Sequence, residues 1–284
     1  MPPLVLQTTD VDSLRSRAAD ADVARFASVR PSGITLPALL ELVCSWRMWS
    51  ESSQNALVQI VDAWSLCLPD LRLAQALLRG RRIQEERGTF EAPLKELWRI
   101  QSANDWASVP ATMFQARFRR SLRGHGFGKR LSLAISKAMQ EMADNVVQHS
   151  GPDEEHPAVG LVGYHVADGW MTYAVADIGR GVLSSLHTNP KWSSLANSAE
   201  ALRASVCRQA SRRIGAPHGD GFSEVHRSLA DLSGALRFRS ADSSLTLAGQ
   251  RAARRDTVSS SPYLLGFQLA VTCSLAVDSR TRAL

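Results

Sequence analysis

The stretch of sequence that decides the fold is Glu141-Met-Ala-Asp-Asn145-Val-Val-Gln-His149. Glu141, Asn145 and His149 recur every fourth residue, which places their side chains along one stripe of an α-helix. The apolar residues around them recur at steps of three and four, as in an amphipathic helix. They are Leu131, Ile135, Ala138, Met139, Met142 and Val146. The sequence therefore predicts a long helix that carries an acid, an amide and an imidazole along one edge.

This polar edge has two interpretations. A carboxylate or an amide is costly to bury without a partner, and a hard cation is one natural partner. Mg2+ prefers oxygen ligands and keeps several waters, so the amide oxygen of Asn145 suits it. Glu141, one turn away, is placed to position or deprotonate a water or a substrate hydroxyl. The alternative is an ordinary solvated helix face, which this stretch favours when it is taken alone.

A second motif, Asp177-Ile-Gly179-Arg-Gly181, follows further along the chain. Two β-prone runs at 159–166 and 170–175 flank an Asp-Gly hairpin signal, and the second run leads to Asp177. A carboxylate fixed at a strand end can accept a hydrogen bond from an exocyclic amine such as that of adenine. The two glycines permit a ligand to approach the backbone closely. A plain turn explains this motif in isolation, but its position after the polar helix makes it informative.

A third element is the glycine-rich stretch Gly215-Ala-Pro-His-Gly219-Asp-Gly221-Phe, which precedes a predicted helix at 223–232. Glycines before a helix start can present backbone N–H groups to phosphates. The segment 183–214 before it contains its own helical run at 195–212, and such a long excursion is typical of a lid over a site. A surface loop with ordinary glycine punctuation is the alternative.

Together these motifs resemble the ATP-binding domain of the GHKL superfamily, which gyrase, heat-shock chaperones, sensor histidine kinases and MutL share. The residues that match are Glu141, Asn145 and His149 in the N-box, Asp177, Gly179 and Gly181 in the first glycine box, and Gly219 and Gly221 in the second. The resemblance covers residues 110–284 and implies a Bergerat fold, a mixed sheet with helices on one face, that binds ATP with Mg2+. By this resemblance Asn145 holds the metal, Asp177 binds the adenine amine and Glu141 is the general base.

The chain departs from the family pattern near its end. The family often has Gly-Thr before its last strand, and the candidate here is Gly266-Phe267. The runs 235–240 and 244–247 are predicted to be strands paired with each other, and 264–277 is predicted to be a buried final strand.

The fold class predicted for the whole chain is α/β, a two-layer α+β sandwich preceded by a small α/β domain. That small domain is assigned to residues 1–105 and the ATP-binding domain to 106–284. Within the first, helices are predicted at 36–46 and 71–78 and a strand at 56–63. Pro31-Ser-Gly33 before a Leu-rich helix resembles the phospho-acceptor loop of STAS-type anti-sigma antagonists. The alternative is a structural extension docked on the ATP-binding domain.

Composition sets the broad class of the protein. With 284 residues, 44% hydrophobic and 21% charged, the chain is predicted to be an ordinary soluble globular protein. It has no apolar run of bilayer-spanning length, no signal peptide and only scattered cysteines, which together predict a cytoplasmic location. The net charge of +6 permits an acidic partner, but the basic residues cluster only at 119–130 and 251–255. A solvated surface is therefore favoured over a nucleic-acid site.

Three functions compete for such a chain. The first is an ATP-dependent Ser/Thr protein kinase of anti-sigma type, the second is a switch driven by ATP hydrolysis, and the third is a nucleotide-binding interaction module with little turnover. Glu141 favours chemistry over binding alone, because metal coordination requires only Asn145. The expected ligands are ATP and Mg2+, and the expected partner is a protein regulator or phospho-acceptor. No membrane is expected, and a homodimer is left open.

Overall fold

The computed structural model describes residues 4–17, 28–49, 56–79, 95–151, 159–167, 169–207, 233–248 and 255–275. The helices in these ranges are α1 (Thr8–Arg17), α2 (Leu36–Trp49), α3 (Ala56–Ser65), α4 (Pro69–Leu78), α5 (Ala103–Trp106), α6 (Val109–Gly124), α7 (Lys129–His149), α8 (Gly181–His187) and α9 (Ser198–Cys207). The strands are β1 (Val5–Leu6), β2 (Gly33–Ile34), β3 (Lys95–Ile100), β4 (Gly160–Ala167), β5 (Trp170–Asp177), β6 (Ser233–Ala248) and β7 (Arg255–Ser274). No helix in these ranges is long and apolar enough to pass through a lipid bilayer.

The main sheet has five strands in the order β3-β4-β5-β7-β6. All four neighbouring pairs are antiparallel. The β4–β5 hairpin matches the prediction, and Gly169 has a positive φ of 66° at its turn. The prediction of a mixed sheet is wrong for the described strands of this sheet. In two of its pairs, β4–β5 and β6–β7, the second strand begins within a few residues of the end of the first, and strands so close in the chain pair in opposite directions. The short strands β1 and β2 form a separate parallel pair.

Helices cover both faces of the main sheet. On one face, Tyr164, Tyr173 and Val175 pack against the buried sides of α6 and α7. On the other face, Ala174 and Ala176 pack against the helices of the N-terminal region. The combination of helices and strands is confirmed. Within residues 106–284, α6, α7 and α9 pack on one face of the sheet, and the layer on the other face comes from the N-terminal region. The strand β5 is apolar on both faces, so both must be covered, as in sheets that lie between two helical layers.

The N-terminal region is more helical than predicted. The helices predicted at 36–46 and 71–78 are confirmed as parts of α2 and α4. The strand predicted at 56–63 is wrong, because this segment lies in α3. The residues Leu57, Ile60, Val61 and Trp64 are all buried, and their spacing fits one side of a helix. The β-branched residues that favoured a strand here are overruled by this tertiary packing.

The strand β3 lies before residue 105 in the chain and yet forms an edge of the main sheet beside β4. This pairing runs from Lys95 opposite His165 to Ile100 opposite Gly160. The division of the chain into domains 1–105 and 106–284 stays a prediction, as does the likeness of the first part to STAS proteins.

The C-terminal hairpin differs from the prediction in its pairing. Residues 235–240 and 244–247 are not paired with each other, because both belong to the continuous strand β6, which pairs with β7. Residues 241–243 form a bulge within β6 instead of a turn. Ala241 has a positive φ of 51°, and the register with β7 shifts on both sides of it. The final strand predicted at 264–277 lies in β7 up to Ser274.

A cluster of buried charges joins the N-terminal helices to β6. The Glu41 carboxylate contacts the guanidinium groups of Arg15 at 3.1 Å and Arg237 at 3.0 Å, and also that of Arg239. Asp12 pairs with Arg237 at 3.0 Å and with Arg239 at 2.7 Å. Burial lowers the pKa of Arg15 and of Arg239 to about 10 each, and the charge of Asp12 opposes this. Arg15 and Arg239 therefore stay charged at neutral pH, and with Arg237 the guanidinium groups outnumber the two carboxylates of the cluster.

Candidate functional site

The predicted polar helix is present as α7. Met139, Met142 and Val146 are buried in the core, while Glu141 and Asn145 are half-buried at the edge of the helix. The amphipathic spacing explains this placement, because the apolar side faces the sheet and the remaining side faces out. The backbone of His149 ends α7, and its side chain lies outside the described part of the chain.

Asp144, which lies between the two predicted residues, was not predicted from the sequence. The indole Nε1 of Trp106 donates a hydrogen bond of 2.6 Å to the Asp144 carboxylate, and this bond links α5 to α7. Burial raises the pKa of Asp144, the Trp106 hydrogen bond opposes this, and the charge of Glu141 adds to it. Two acids therefore lie side by side on this edge. Its position three residues after Glu141 was the only sequence signal available, since no local pattern links it to Trp106.

The glycine motif after β5 lies against the end of α7. The backbone N–H of Arg180 donates to the carbonyl oxygen of Ser150 at 3.0 Å, and the Arg180 side chain donates to the carbonyl of Gly151. A Cβ atom at Gly179 would overlap the Ser150 carbonyl group. A glycine is required there because the loop and the helix end touch through their backbones.

The turn of α7 that carries Asn145 also lies close to Asp177. Gly160 on β4 is opposite Asp177 in the sheet. A Cβ atom at Gly160 would lie 2.7 Å from Cγ1 of Val146 and 3.4 Å from Cβ of Asp177. Val146 follows Asn145 directly, so the two predicted motifs meet in one corner of the molecule.

The Asp177 carboxylate is the most unusual group in this corner. It is only 1% exposed, and its Oδ1 accepts a hydrogen bond of 2.7 Å from the backbone N–H of Gly179. Its Oδ2 is buried and has no hydrogen-bond partner among the described residues. Burial raises the pKa of Asp177 to about 7, although hydrogen bonds from the backbones of Gly179 and Phe267 oppose this. A buried acceptor of this kind is costly, so it calls for a functional explanation.

Two glycines with a left-handed backbone shape the chain next to Asp177. Gly181 and Gly266 have positive φ angles of 76° and 73°. Between them, Oγ of Ser240 accepts a hydrogen bond of 3.0 Å from the N–H of Val182 and donates one of 2.7 Å to the carbonyl of Gly266. A Cβ atom at Gly266 would overlap the backbone oxygen and Oδ1 of Asp177. In the sequence Gly266 was only the candidate for the glycine of the family's Gly-Thr pair, and the structure gives it a steric role.

We expect Gly266→Ala to destabilise the fold and displace the Asp177 carboxylate. The left-handed backbone and the overlap together should lower the free energy of unfolding by roughly 2–4 kcal/mol. Gly124→Ala is the matched control, because a Cβ atom there would meet nothing within 4 Å. Urea unfolding of both variants measures the difference, and equal stabilities would contradict this role for Gly266.

The remaining predicted residues, Gly219 and Gly221, lie outside the described residues, as does the helix predicted at 223–232. No group of three or more His, Cys, Asp or Glu side chains that could hold a metal occurs among the described residues. A site that takes Mg2+ through Asn145 and phosphate oxygens does not require such a group, because Mg2+ commonly keeps waters and substrate ligands.

No known family model matches this sequence, and no curated protein is significantly similar to it. The case for a function therefore rests on the residues and on their arrangement.

Proposed function

We propose that this protein binds ATP with Mg2+ in the corner formed by the second half of α7, the loop Asp177–Gly181 and Gly266. The observation that carries the proposal is the buried Asp177 carboxylate, whose Oδ2 has no partner among the described residues. The resemblance to the GHKL superfamily supports it, because its N-box and first glycine box fall on the residues that meet here. A Bergerat-type fold is part of the same proposal.

The chemistry of Asp177 favours adenine over guanine. An ionised carboxylate accepts hydrogen bonds only, and the exocyclic amine of adenine donates one. Guanine presents a carbonyl oxygen at the equivalent position, which would face the carboxylate as a second acceptor. A site whose buried polar group is left unpaired rejects the wrong ligand strongly. The proposed site should therefore prefer ATP to GTP.

The edge of α7 supplies the groups for the phosphate end of the nucleotide. The Asn145 amide oxygen is an oxygen ligand of the kind that Mg2+ takes. Glu141 is half-buried one turn away and is the proposed general base. Asp144 is held by Trp106 and adds a second negative charge beside Glu141.

With these groups, we propose a regulatory enzyme of the cytoplasm. It is either an ATP-dependent Ser/Thr protein kinase of anti-sigma type or a switch driven by ATP hydrolysis, with a protein regulator or phospho-acceptor as partner. The second candidate function is a nucleotide-binding interaction module with little turnover. The half-buried carboxylate of Glu141 favours the enzyme, since binding of the metal needs no base.

The roles of the two helix residues are tested by separate variants. Asn145→Ala is expected to weaken Mg2+-dependent ATP binding at least tenfold, because about 1.4 kcal/mol of lost ligation already gives that factor. Glu141→Ala is expected to keep binding and to lose turnover by roughly two orders of magnitude. Gln140→Ala is the matched control, an exposed amide on the same helix that should change neither property.

Binding is measured with a fluorescent ATP analogue and turnover with γ-labelled ATP, alone and with cell lysate. Label on a second protein supports the kinase, and free phosphate alone supports the switch. If Asn145→Ala and Glu141→Ala both bind and react as the unchanged protein does, the role assignment fails.

A further inference from the structure

The outer side of the α6–α7 layer is strongly basic. Residues 106–140 contain five Arg and two Lys but no Asp or Glu. Six of these cations are exposed, and we call them the basic face: Arg119, Arg120, Arg123, Lys129, Arg130 and Lys137. The seventh, Arg117, is half-buried and pairs with Glu96, with Nε 3.0 Å from Oε2. The basic face thus holds much of the charge that makes the net charge of the protein +6.

The basic residues share one surface because of the helix periodicity. Phe114 and Phe118 of α6 are buried against the sheet, and Arg119 and Arg123 lie one turn apart on the opposite side of that helix. Ile135 and Met139 of α7 are likewise buried, and the cations of α7 lie on its outer side. The two helices pack side by side, so their outer sides form a continuous layer surface.

Five of the six cations of the basic face are not neutralised within the described residues. Arg119, Arg123, Lys129, Arg130 and Lys137 make no ion pair with a carboxylate there. A surface of one sign attracts an acidic partner over long range and speeds the encounter.

Two large apolar side chains lie within the same surface. Leu133 is 52% exposed and sits between Lys129 and Lys137, one turn from each, and Met113 is 40% exposed on α6. Protein interfaces combine apolar anchors with Arg-rich surroundings. A nucleic acid would use the cations but gain little from Leu133. Single-stranded nucleic acid also requires aromatic stacking platforms, and residues 109–140 contain no Tyr or Trp and only buried Phe side chains.

We propose that the basic face docks an acidic amphipathic helix of a partner protein. The carboxylates of that helix pair with the cations of α6 and α7, and its apolar side covers Leu133 and Met113. A helix laid against two parallel ridges of side chains is a recurrent mode of protein recognition. This docking does not rest on the proposed nucleotide site, and it is expected in the absence of ATP.

The test uses the full chain and three fluorescent probes. The first is a synthetic helical peptide with Leu along one side and Glu elsewhere, the second is a poly-Glu peptide with the same number of Glu residues, and the third is a DNA duplex. Fluorescence anisotropy gives the affinity for each at several salt concentrations. We expect the amphipathic peptide to bind most tightly and its affinity to fall as salt rises.

Charge reversal separates the basic face from the overall charge. Arg119→Glu with Arg130→Glu should weaken peptide binding at least tenfold. The matched control, Arg72→Glu with Arg203→Glu, changes two exposed arginines elsewhere and alters the net charge equally, so it should change binding less than twofold. Leu133→Ser should weaken binding about fivefold through the lost apolar contact alone.

Several results would overturn the proposal. These are no binding of the peptide, tighter binding of the duplex or of poly-Glu, equal losses in the two charge-reversed proteins, or no effect of Leu133→Ser. The binding of Mg-ATP by each of these proteins is measured in parallel. If the protein binds Mg-ATP but not the peptide, only the docking proposal fails. If it binds the peptide but not Mg-ATP, only the nucleotide proposal fails.

Discussion

Replacing Asp177 by Asn is expected to make the protein more stable at pH 8 while it removes ATP binding. Burial raises the pKa of this carboxyl to about 7 from an ordinary value of 3.8. Keeping the group ionised inside the protein is therefore unfavourable. An Asn side chain has nearly the same shape and no charge, and its amide oxygen can still accept from the N–H of Gly179.

The sign of the pH dependence follows from the raised pKa. Below pH 3.8 the carboxyl is protonated in both the folded and the unfolded states. As the pH rises from there to about 7, the unfolded chain releases the proton and the folded protein retains it. The contribution of Asp177 to the free energy of unfolding is therefore fully present below pH 3.8, and it is lost as the pH rises through the pKa of the folded state. A shift of three pKa units corresponds to about 4 kcal/mol.

Urea unfolding of the unchanged protein and of Asp177→Asn between pH 4 and pH 8 measures this effect. The difference in unfolding free energy between them should move in favour of the variant by up to about 4 kcal/mol across this range. Other titrating groups cancel in the difference. A difference that does not change with pH would contradict the buried, uncompensated carboxylate on which the proposed adenine contact depends.

The second large effect is expected at the buried charge cluster, where Glu41→Ala should destabilise the fold by about 3–5 kcal/mol. Glu41 is fully buried and contacts Arg15, Arg237 and Arg239. Its removal leaves three guanidinium groups with Asp12 as the remaining carboxylate of the cluster. The variant loses ion pairs that join the N-terminal helices to β6, so both the helices and the sheet should be destabilised.

Glu41→Gln keeps the shape of the side chain and removes its charge, so it separates the ion pairs from the packing. Asp256→Ala is the control, because Asp256 is exposed on β7 and its removal should change stability by less than about 0.5 kcal/mol. Thermal and urea unfolding of the three variants gives the comparison. If Glu41→Ala were as stable as Asp256→Ala, the cluster would contribute nothing to holding the N-terminal helices on the sheet.

The local elements were predictable because their signals are local. The periodicity around Glu141 to His149 predicted α7, and the Asp-Gly turn predicted the β4–β5 hairpin. Likewise, the order of the two motifs was enough to expect that Asn145 and Asp177 would lie in one corner. The identity of the ligand stays a prediction.

Long-range packing was not predictable in the same way. Ala174 and Ala176 give no sign in the sequence that helices from residues 36–78 cover them, so an N-terminal extension docked on the sheet could be offered only as an alternative. The sequence at 241–243 predicted a turn, whereas the structure has a bulge at Ala241 that keeps β6 continuous and paired with β7. Asp144 was missed for a similar reason, since its partner Trp106 is far away in the chain.

A calorimetric titration of the full chain with Mg-ATP at pH 8, where Asp177 is mostly ionised, tests the proposed site most directly. One nucleotide per chain should bind, GTP should bind at least tenfold more weakly, and the heat of binding should disappear in Asp177→Asn. Absence of binding at millimolar ATP, or equal binding by the unchanged protein and by Asp177→Asn, would contradict the proposal that this corner holds the adenine of ATP.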